Sequence, residues 1–177
     1  CEGQALDIDF ESRSDVTSGE YDEMIELKTA VLYGASASIP GILLGADDGT
    51  VEALYQYGVD VGRAFQIQDD VLDLLARSED MGKQRGSDLV EGKRTLITTH
   101  AREHGVDVDA LIESSDPTEA EIEAAVSTLQ ESGSIDFAHE TAVDLVEQGK
   151  SRLDVLPDNE ARSLLDDVAD FLIEREY

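Results

Sequence analysis

Phe65-Gln66-Ile67-Gln68-Asp69-Asp70-Val71-Leu72-Asp73 decides how the rest of this sequence is read. It lies within residues 50–77, where Leu54, Val61, Phe65, Gln68, Leu72 and Leu75 recur by threes, fours and sevens, the period of one side of a helix. On such a helix Asp69 and Asp73 stand four apart and Asp70 and Asp73 three apart, so the carboxylates share a face, with Gln66 one turn earlier on it. Like charges at this spacing destabilise an isolated helix by roughly a few tenths of a kcal/mol per pair. They also lie far from the N-terminal turn, where the helix dipole would favour them. A hard divalent cation would offset that cost: Mg2+ takes oxygen ligands, keeps waters, and bridges carboxylates to a substrate phosphate. The motif alone leaves a solvated acidic face as the alternative. Gly58 and Gly62, on or near the carboxylate side, would admit either a closely packed helix or a ligand.

Outward from this stretch the sequence reads as helices. Residues 20–39 form one, with Met24, Leu27, Val31, Leu32 and Ala35 apolar, and Pro40-Gly41 is expected to kink or end it. A short apolar piece, 42–46, precedes a turn at Asp47-Asp48-Gly49. Residues 78–86 read as a loop and 87–104 as a helix stopping at Gly105. Thr118-x-x-Glu121 is a capping box opening a helix that ends near Gly133. Two more helices, 134–155 and 158–175, are split by Pro157. No period-2 run is long enough for a strand, and there is no repeat. The expectation is an all-α fold, with residues 1–177 as a single helical domain.

Charge excludes several functions. The 177 residues carry 13 Lys+Arg against 41 Asp+Glu, a formal net charge of −28. Nucleic acid and anionic membrane faces would be repelled by such a surface. High negative charge with few lysines suits concentrated salt, where self-repulsion is screened, and so points to a halophile. Cys1 is the single cysteine, so no intrachain disulfide can form. No 18-residue apolar run and no signal peptide are seen, so no membrane insertion and a cytoplasmic location are expected. The sequence begins with Cys rather than Met and is expected to be a fragment.

The lysines sharpen the reading. There are four: Lys28, Lys83, Lys93 and Lys150. Lys28 sits mid-helix among apolar neighbours, and Lys83 and Lys93 bracket Gly86-Ser87-Asp88-Leu89-Val90-Glu91-Gly92 just after the aspartate helix. An ammonium is a compact point charge suited to phosphate oxygens. Carboxylates for a metal and lysines for phosphate together describe a site for a metal–diphosphate substrate. For Lys150 a surface salt bridge is the expectation. His100, His104 and His139 are expected to be surface or packing residues, since the chemistry needs no histidine nucleophile.

Four ordered motifs then carry a family resemblance. Gly3-Gln4-x-x-Asp7, Tyr21-x-x-Met24-Ile25-x-x-Lys28-Thr29, Phe65-Gln66-x-x-Asp69-Asp70-x-x-Asp73 and Gly82-Lys83-x-x-Gly86-Ser87-Asp88-Leu89-x-Glu91-Gly92-Lys93-x-Thr95 resemble the trans-isoprenyl diphosphate synthases in order and spacing. The resemblance covers residues 3–96; the remainder matches only in helical class. It implies an isoprenoid synthase-type helical bundle, of which this sequence is the C-terminal portion without the N-terminal helices, from a halophilic archaeon. It implies Mg2+ as cofactor and isopentenyl diphosphate and an allylic diphosphate as substrates, with geranylgeranyl diphosphate the expected product and a homodimer as the full-length form. Residue by residue it implies that Asp69, Asp70 and Asp73 hold the metal, Asp69 and Asp73 foremost. Lys28 and Lys83 hold the allylic diphosphate, Lys93 is a further lysine near it, and the Thr29 and Gln66 oxygens face the allylic cation. Gln4 and Asp7 would only support the site. Gln84 and Ile97 depart from the family pattern at positions that carry no ligand.

The family's first aspartate-rich motif, the arginines after it and the region that sets product length have no counterpart in this sequence. The isolated chain is therefore expected to be inactive. Two other readings stay open: a non-catalytic subunit of a heteromeric prenyl synthase, against which three intact aspartates argue, and a class I terpenoid cyclase, against which Lys28-Thr29 and the Lys83/Lys93 bracket argue.

Overall fold

The computed structural model describes residues 1–75, 85–112, 114 and 116–173, and among them every regular element is helical. Helix α1 is Glu2–Glu11. Thr17 then opens α2, Ser18–Ile25, through a capping box in which the Thr17 N–H donates to Glu20 Oε2 at 2.9 Å and Glu20 N–H to Thr17 Oγ1 at 3.3 Å. A single π-helical turn, Glu26–Ala30, joins α2 to α3, Val31–Leu44, so residues 18–44 run as one continuous helix. Pro40 does not end it: the helix passes through and stops at Gly45, whose φ of 71° closes the last turn. A proline inside a helix costs about 3 kcal/mol. The face carrying Gly34 and Gly41, pressed against Tyr55, Val59, Leu54 and Val51, holds it in place.

Asp47 is the cap rather than the middle of a turn, accepting from the Thr50 N–H at 3.1 Å, and α4 spans Asp48–Leu75. At 28 residues α4 is about 42 Å long. It is the central helix, flanked by α3 and by α8, Ser134–Arg152. Its buried apolar set is Tyr57, Val59, Val61, Ala64, Ile67, Val71 and Leu74, and Leu75 is exposed. The helix is thus packed on several sides rather than along one stripe. The open question over Gly58 and Gly62 is settled in favour of helix packing. A Cβ at Gly58 would sit 2.4 Å from the Tyr33 carbonyl oxygen, and one at Gly62 2.8 Å from the Ala30 Cα.

Residues 76–84 lie outside the described part, and with them most of the expected 78–86 loop. The expected helix 87–104 is two: α5, Ser87–Val90, and α6, Leu96–Glu103. Gly92 at φ 73° breaks the first, and Thr95 caps the second. Helix α7, Glu119–Glu131, opens on the Thr118–Glu121 capping box as expected, α8 runs on into a short 3-10 turn, Leu153–Val155, and α9 is Glu160–Ile173. One apolar cluster, from Phe10 to Ala169, forms the core.

By length and composition alone the helix 18–44 is apolar enough to cross a membrane, a test that packed helices of globular proteins also pass. Leu32, Ile42, Leu43 and Leu44 are exposed along it.

Candidate functional site: a carboxylate and lysine cavity on the central helix

The two residues after Leu27 owe their place to the π turn. A wide turn adds a residue to the helical circuit and rotates everything after it; such turns recur at functional sites. Here it carries Lys28 and Thr29. Helix α1 crosses at this point so closely that a Cβ on Gly3 would lie 2.2 Å from the Lys28 backbone nitrogen. One turn of α1 further on, Asp7 accepts from Lys28 Nζ at 2.6 Å.

On α4 the three aspartates point into different surroundings. Asp69 is exposed. Asp70, 6% exposed, accepts from the Tyr21 hydroxyl at 2.8 Å and from Gln66 Nε2 at 3.1 Å, and Gln66 Oε1 accepts from the Thr29 hydroxyl at 3.0 Å. Asp73 is buried and accepts from the Ser87 hydroxyl at 2.7 Å and the Asp88 N–H at 3.1 Å, which fastens the start of α5 to the end of α4. Gly86, at φ 69°, makes the turn that allows this. Asp88 in turn accepts from Lys93 Nζ, which also reaches Glu91 at 3.2 Å.

These groups line one cavity of about 430 Å3, walled by Asp7, Tyr21, Lys28, Gln66, Asp69, Asp70, Asp73, Asp88 and Lys93 among others. Five carboxylates stand there against the cations Lys28, Lys93 and Arg94. The electrostatics register the excess. Burial pushes the Asp70 carboxyl up to about 7, opposed by the Tyr21 bond and aided by the Asp88 charge. Burial also raises Asp73, against the Ser87 hydrogen bond. Tyr21 is held well above the ordinary phenol value, first by burial and then by the Asp70 charge. Burial pulls Lys93 down, but the hydrogen bonds and charges of Asp88 and Glu91 together outweigh it and leave the ammonium above its usual value.

Six of the eight site residues singled out in the sequence therefore line the cavity, and Thr29 is joined to it through Gln66. Lys83 lies outside the described residues. Sequence reasoning gave no direct role to Asp7 and singled out neither Tyr21 nor Asp88. All three stand inside the quoted motifs; for Asp7 and Tyr21 nothing local marks a side chain as facing a partner 21 or 49 residues away, whereas the Asp88–Lys93 pair is only five residues apart. Lys150 makes the expected surface pairs, with Glu147 at 2.9 Å and Asp170 at 3.0 Å. The histidines pack: His100 stacks on Phe137 at 4.1 Å between ring centres, and His139 bonds Gln68 at 3.1 Å.

The donor set fits a hard cation: all-oxygen, anionic, partly desolvated. Among the described residues no three His, Cys, Asp or Glu gather closely enough to enclose a metal by themselves. A hard divalent cation can be held by one or two carboxylates and complete its shell with waters and substrate phosphate.

Known proteins place this arrangement. The family model for polyprenyl synthetase matches residues 1–129. The chain is 71% identical over all 177 residues to the geranylfarnesyl diphosphate synthase of Natronomonas pharaonis, covering 52% of it, a relative that supports the halophilic archaeal source. The crystal structure of geranylgeranyl pyrophosphate synthetase from Pyrococcus horikoshii superposes with a TM-score of 0.90 at 42% identity, over 99% of this chain and 55% of that one. The polyprenyl synthase from Caulobacter crescentus complexed with calcium and isoprenyl diphosphate gives 0.88 at 32% identity, over 99% and 55%. The chain thus spans about half the length of the relatives it matches. With its helical fold and four motifs in register, it belongs to the polyprenyl synthetase family.

Proposed function

We propose that the protein containing this chain is a prenyltransferase that condenses isopentenyl diphosphate with an allylic diphosphate to give a longer isoprenyl diphosphate. One observation carries the reading: a single cavity joins Asp69, Asp70, Asp73 and Gln66 of the central helix to Lys28 of the π turn and Lys93 beyond α5. Asp69 and Asp73, with Asp70 behind them, would hold magnesium. When bound there, the ion supplies Lewis-acid neutralisation of the departing diphosphate. The calcium and isoprenyl diphosphate named for the Caulobacter relative support such a pairing.

The chain's own residues do the rest. Lys28 and Lys93, paired with Asp7 and Asp88, exchange those carboxylates for diphosphate oxygens and hold the leaving group by fixed charge. The family resemblance gives Lys83, outside the described residues, the same role. The Gln66 and Thr29 oxygens stabilise the positive charge left on the allyl group. The product is geranylgeranyl or geranylfarnesyl diphosphate, the names carried by the Pyrococcus and Natronomonas relatives. We take the full-length form to be a homodimer.

The test uses the full-length protein in high-salt buffer with isopentenyl diphosphate and an allylic diphosphate, with and without Mg2+, products being separated by chromatography. A Mg2+-dependent elongated product, reduced about a hundredfold or more in Asp69→Ala, is expected. No elongation from any allylic primer would turn the reading toward a cyclase or a non-catalytic subunit.

A further inference from the structure

The cavity wall holds a buried hydroxyl to which the proposed chemistry assigns no task. Tyr21 is 1% exposed, and its Oη donates to Asp70 Oδ2 at 2.8 Å. The other oxygen of that carboxylate accepts from Gln66 Nε2 at 3.1 Å, and Gln66 Oε1 accepts from the Thr29 hydroxyl at 3.0 Å. The three bonds run as one chain from α2 through α4 to the π turn.

The chain has a direction. Asp70 Oδ1 accepts from Gln66 Nε2 and Gln66 Oε1 accepts from Thr29, so the amide turns its NH2 toward Asp70 and its oxygen toward Thr29. The two ends of a glutamine amide have nearly the same shape, so packing by itself would not choose between them; the hydrogen-bond network does. The Asp70 carboxylate is itself free to rotate over a broad range. The rigid, buried Tyr21 ring pins Oδ2 and leaves Oδ1 for the amide.

We propose that Tyr21 is a positioning residue of this site: through the shared Asp70 carboxylate its hydroxyl sets which end of the Gln66 amide is turned toward Thr29. The proposal rests on the prenyltransfer reading, in which the Gln66 oxygen, not its NH2, must meet positive charge. An amide free to flip would present a donor there for part of the time and raise the barrier without weakening substrate binding.

The experiment compares wild type, Tyr21→Phe, Gln66→Met and the double variant of the full-length protein, with thermal melts to establish folding. Tyr21→Phe is expected to lower kcat about tenfold with both KM values within about twofold, and to have no further effect in the Gln66→Met background. A tenfold loss that persists in that background would mean that Tyr21 acts by packing or through the metal-holding role of Asp70 and not through Gln66, and an unchanged kcat would mean that it does not act; either overturns the proposal. The second readout needs no turnover: in 1H–15N spectra of glutamine-labelled protein the Gln66 side-chain amide signal should shift in Tyr21→Phe, and an unmoved signal would refute the link. If the wild type itself makes no product, the functional reading falls, while the amide signal still decides the hydrogen-bond chain. Should Tyr21→Phe not fold, Asp70→Asn tests the same link. Its Nδ2 would face Gln66 and turn the amide over, and an unshifted amide signal there would count against the proposal equally.

Discussion

Asp69, Asp70 and Asp73 lie within one and a half turns of α4, yet their oxygens meet solvent, a tyrosine with a glutamine, and the start of α5 respectively. The consequences of removing them should therefore separate. Asp69→Ala, taking an exposed group away, should leave the unfolding free energy within about 0.5 kcal/mol of wild type while removing activity. Asp73→Ala leaves the Ser87 hydroxyl and the Asp88 N–H without their acceptor, and should cost about 1–3 kcal/mol as well. Urea titrations of the two variants, run beside the product assay, measure the difference. Equal stability losses would mean that Asp73 does not anchor α5.

At the scale of elements, contacts between helices decide what can be changed. Gly58→Ala puts a methyl 2.4 Å from the Tyr33 carbonyl and should destabilise the α3–α4 pair by about 1–3 kcal/mol in thermal melts. Gly19, with nothing within 4 Å of its would-be Cβ, should accept alanine with no loss. Helix α4 is tied to α8 by Arg152, whose Nε meets the buried Asp60 carboxylate at 3.2 Å. Burial raises the Asp60 carboxyl against the pull of Arg152. The folded state therefore takes this proton at a higher pH than the unfolded chain, so the penalty of the buried charge is present above the raised value and fades as the pH falls through it. Arg152→Met should accordingly cost about 1–3 kcal/mol at pH 7, discounted for the partly exposed guanidinium, and less near pH 4. Melts at the two values would show it, and an equal loss at both would deny Asp60 the role. Most of the helices were legible from periodicity and caps. The passage through Pro40 was not, because it is decided by what the segment packs against; the break between α5 and α6 rests on local signals, Gly92 and the Thr95 cap, that the helical reading of 87–104 passed over.

The whole molecule carries a net charge of −28, and its self-repulsion is relieved by salt. Its melting temperature should rise steadily as KCl is raised from about 0.1 M to molar levels, where the Debye length shrinks to about 3 Å. A flat response would mean that the acidic surface does not limit stability. Large apolar side chains also stay exposed: Leu43 at 80% and Leu44 at 87% on α3, and Phe171 at 65% on α9. With about half the length of its relatives and one aspartate motif of the two that its family resemblance implies, the 177-residue chain by itself should give no product with Mg2+ and both substrates. Measurable product would show that this portion holds a complete site.

The amino-acid sequence by itself determined the class of chemistry and the class of fold. Helical periodicity, carboxylates at three- and four-residue spacing, and lysines kept where nearly all others are gone are local properties, readable without knowing what touches what. It also determined which residues to watch: Asp69, Asp70, Asp73, Gln66, Thr29, Lys28 and Lys93 meet at one cavity or beside it. Only the tertiary structure decided how they divide the work. Asp7 against Lys28, Asp73 against Ser87 and Tyr21 against Asp70 are contacts between separate elements, made by a π turn and by glycines that let backbones approach within contact. Burial, which turns one aspartate into a hydrogen-bond hub and leaves its neighbour in solvent, is a property of the packed chain, and no residue carries it alone.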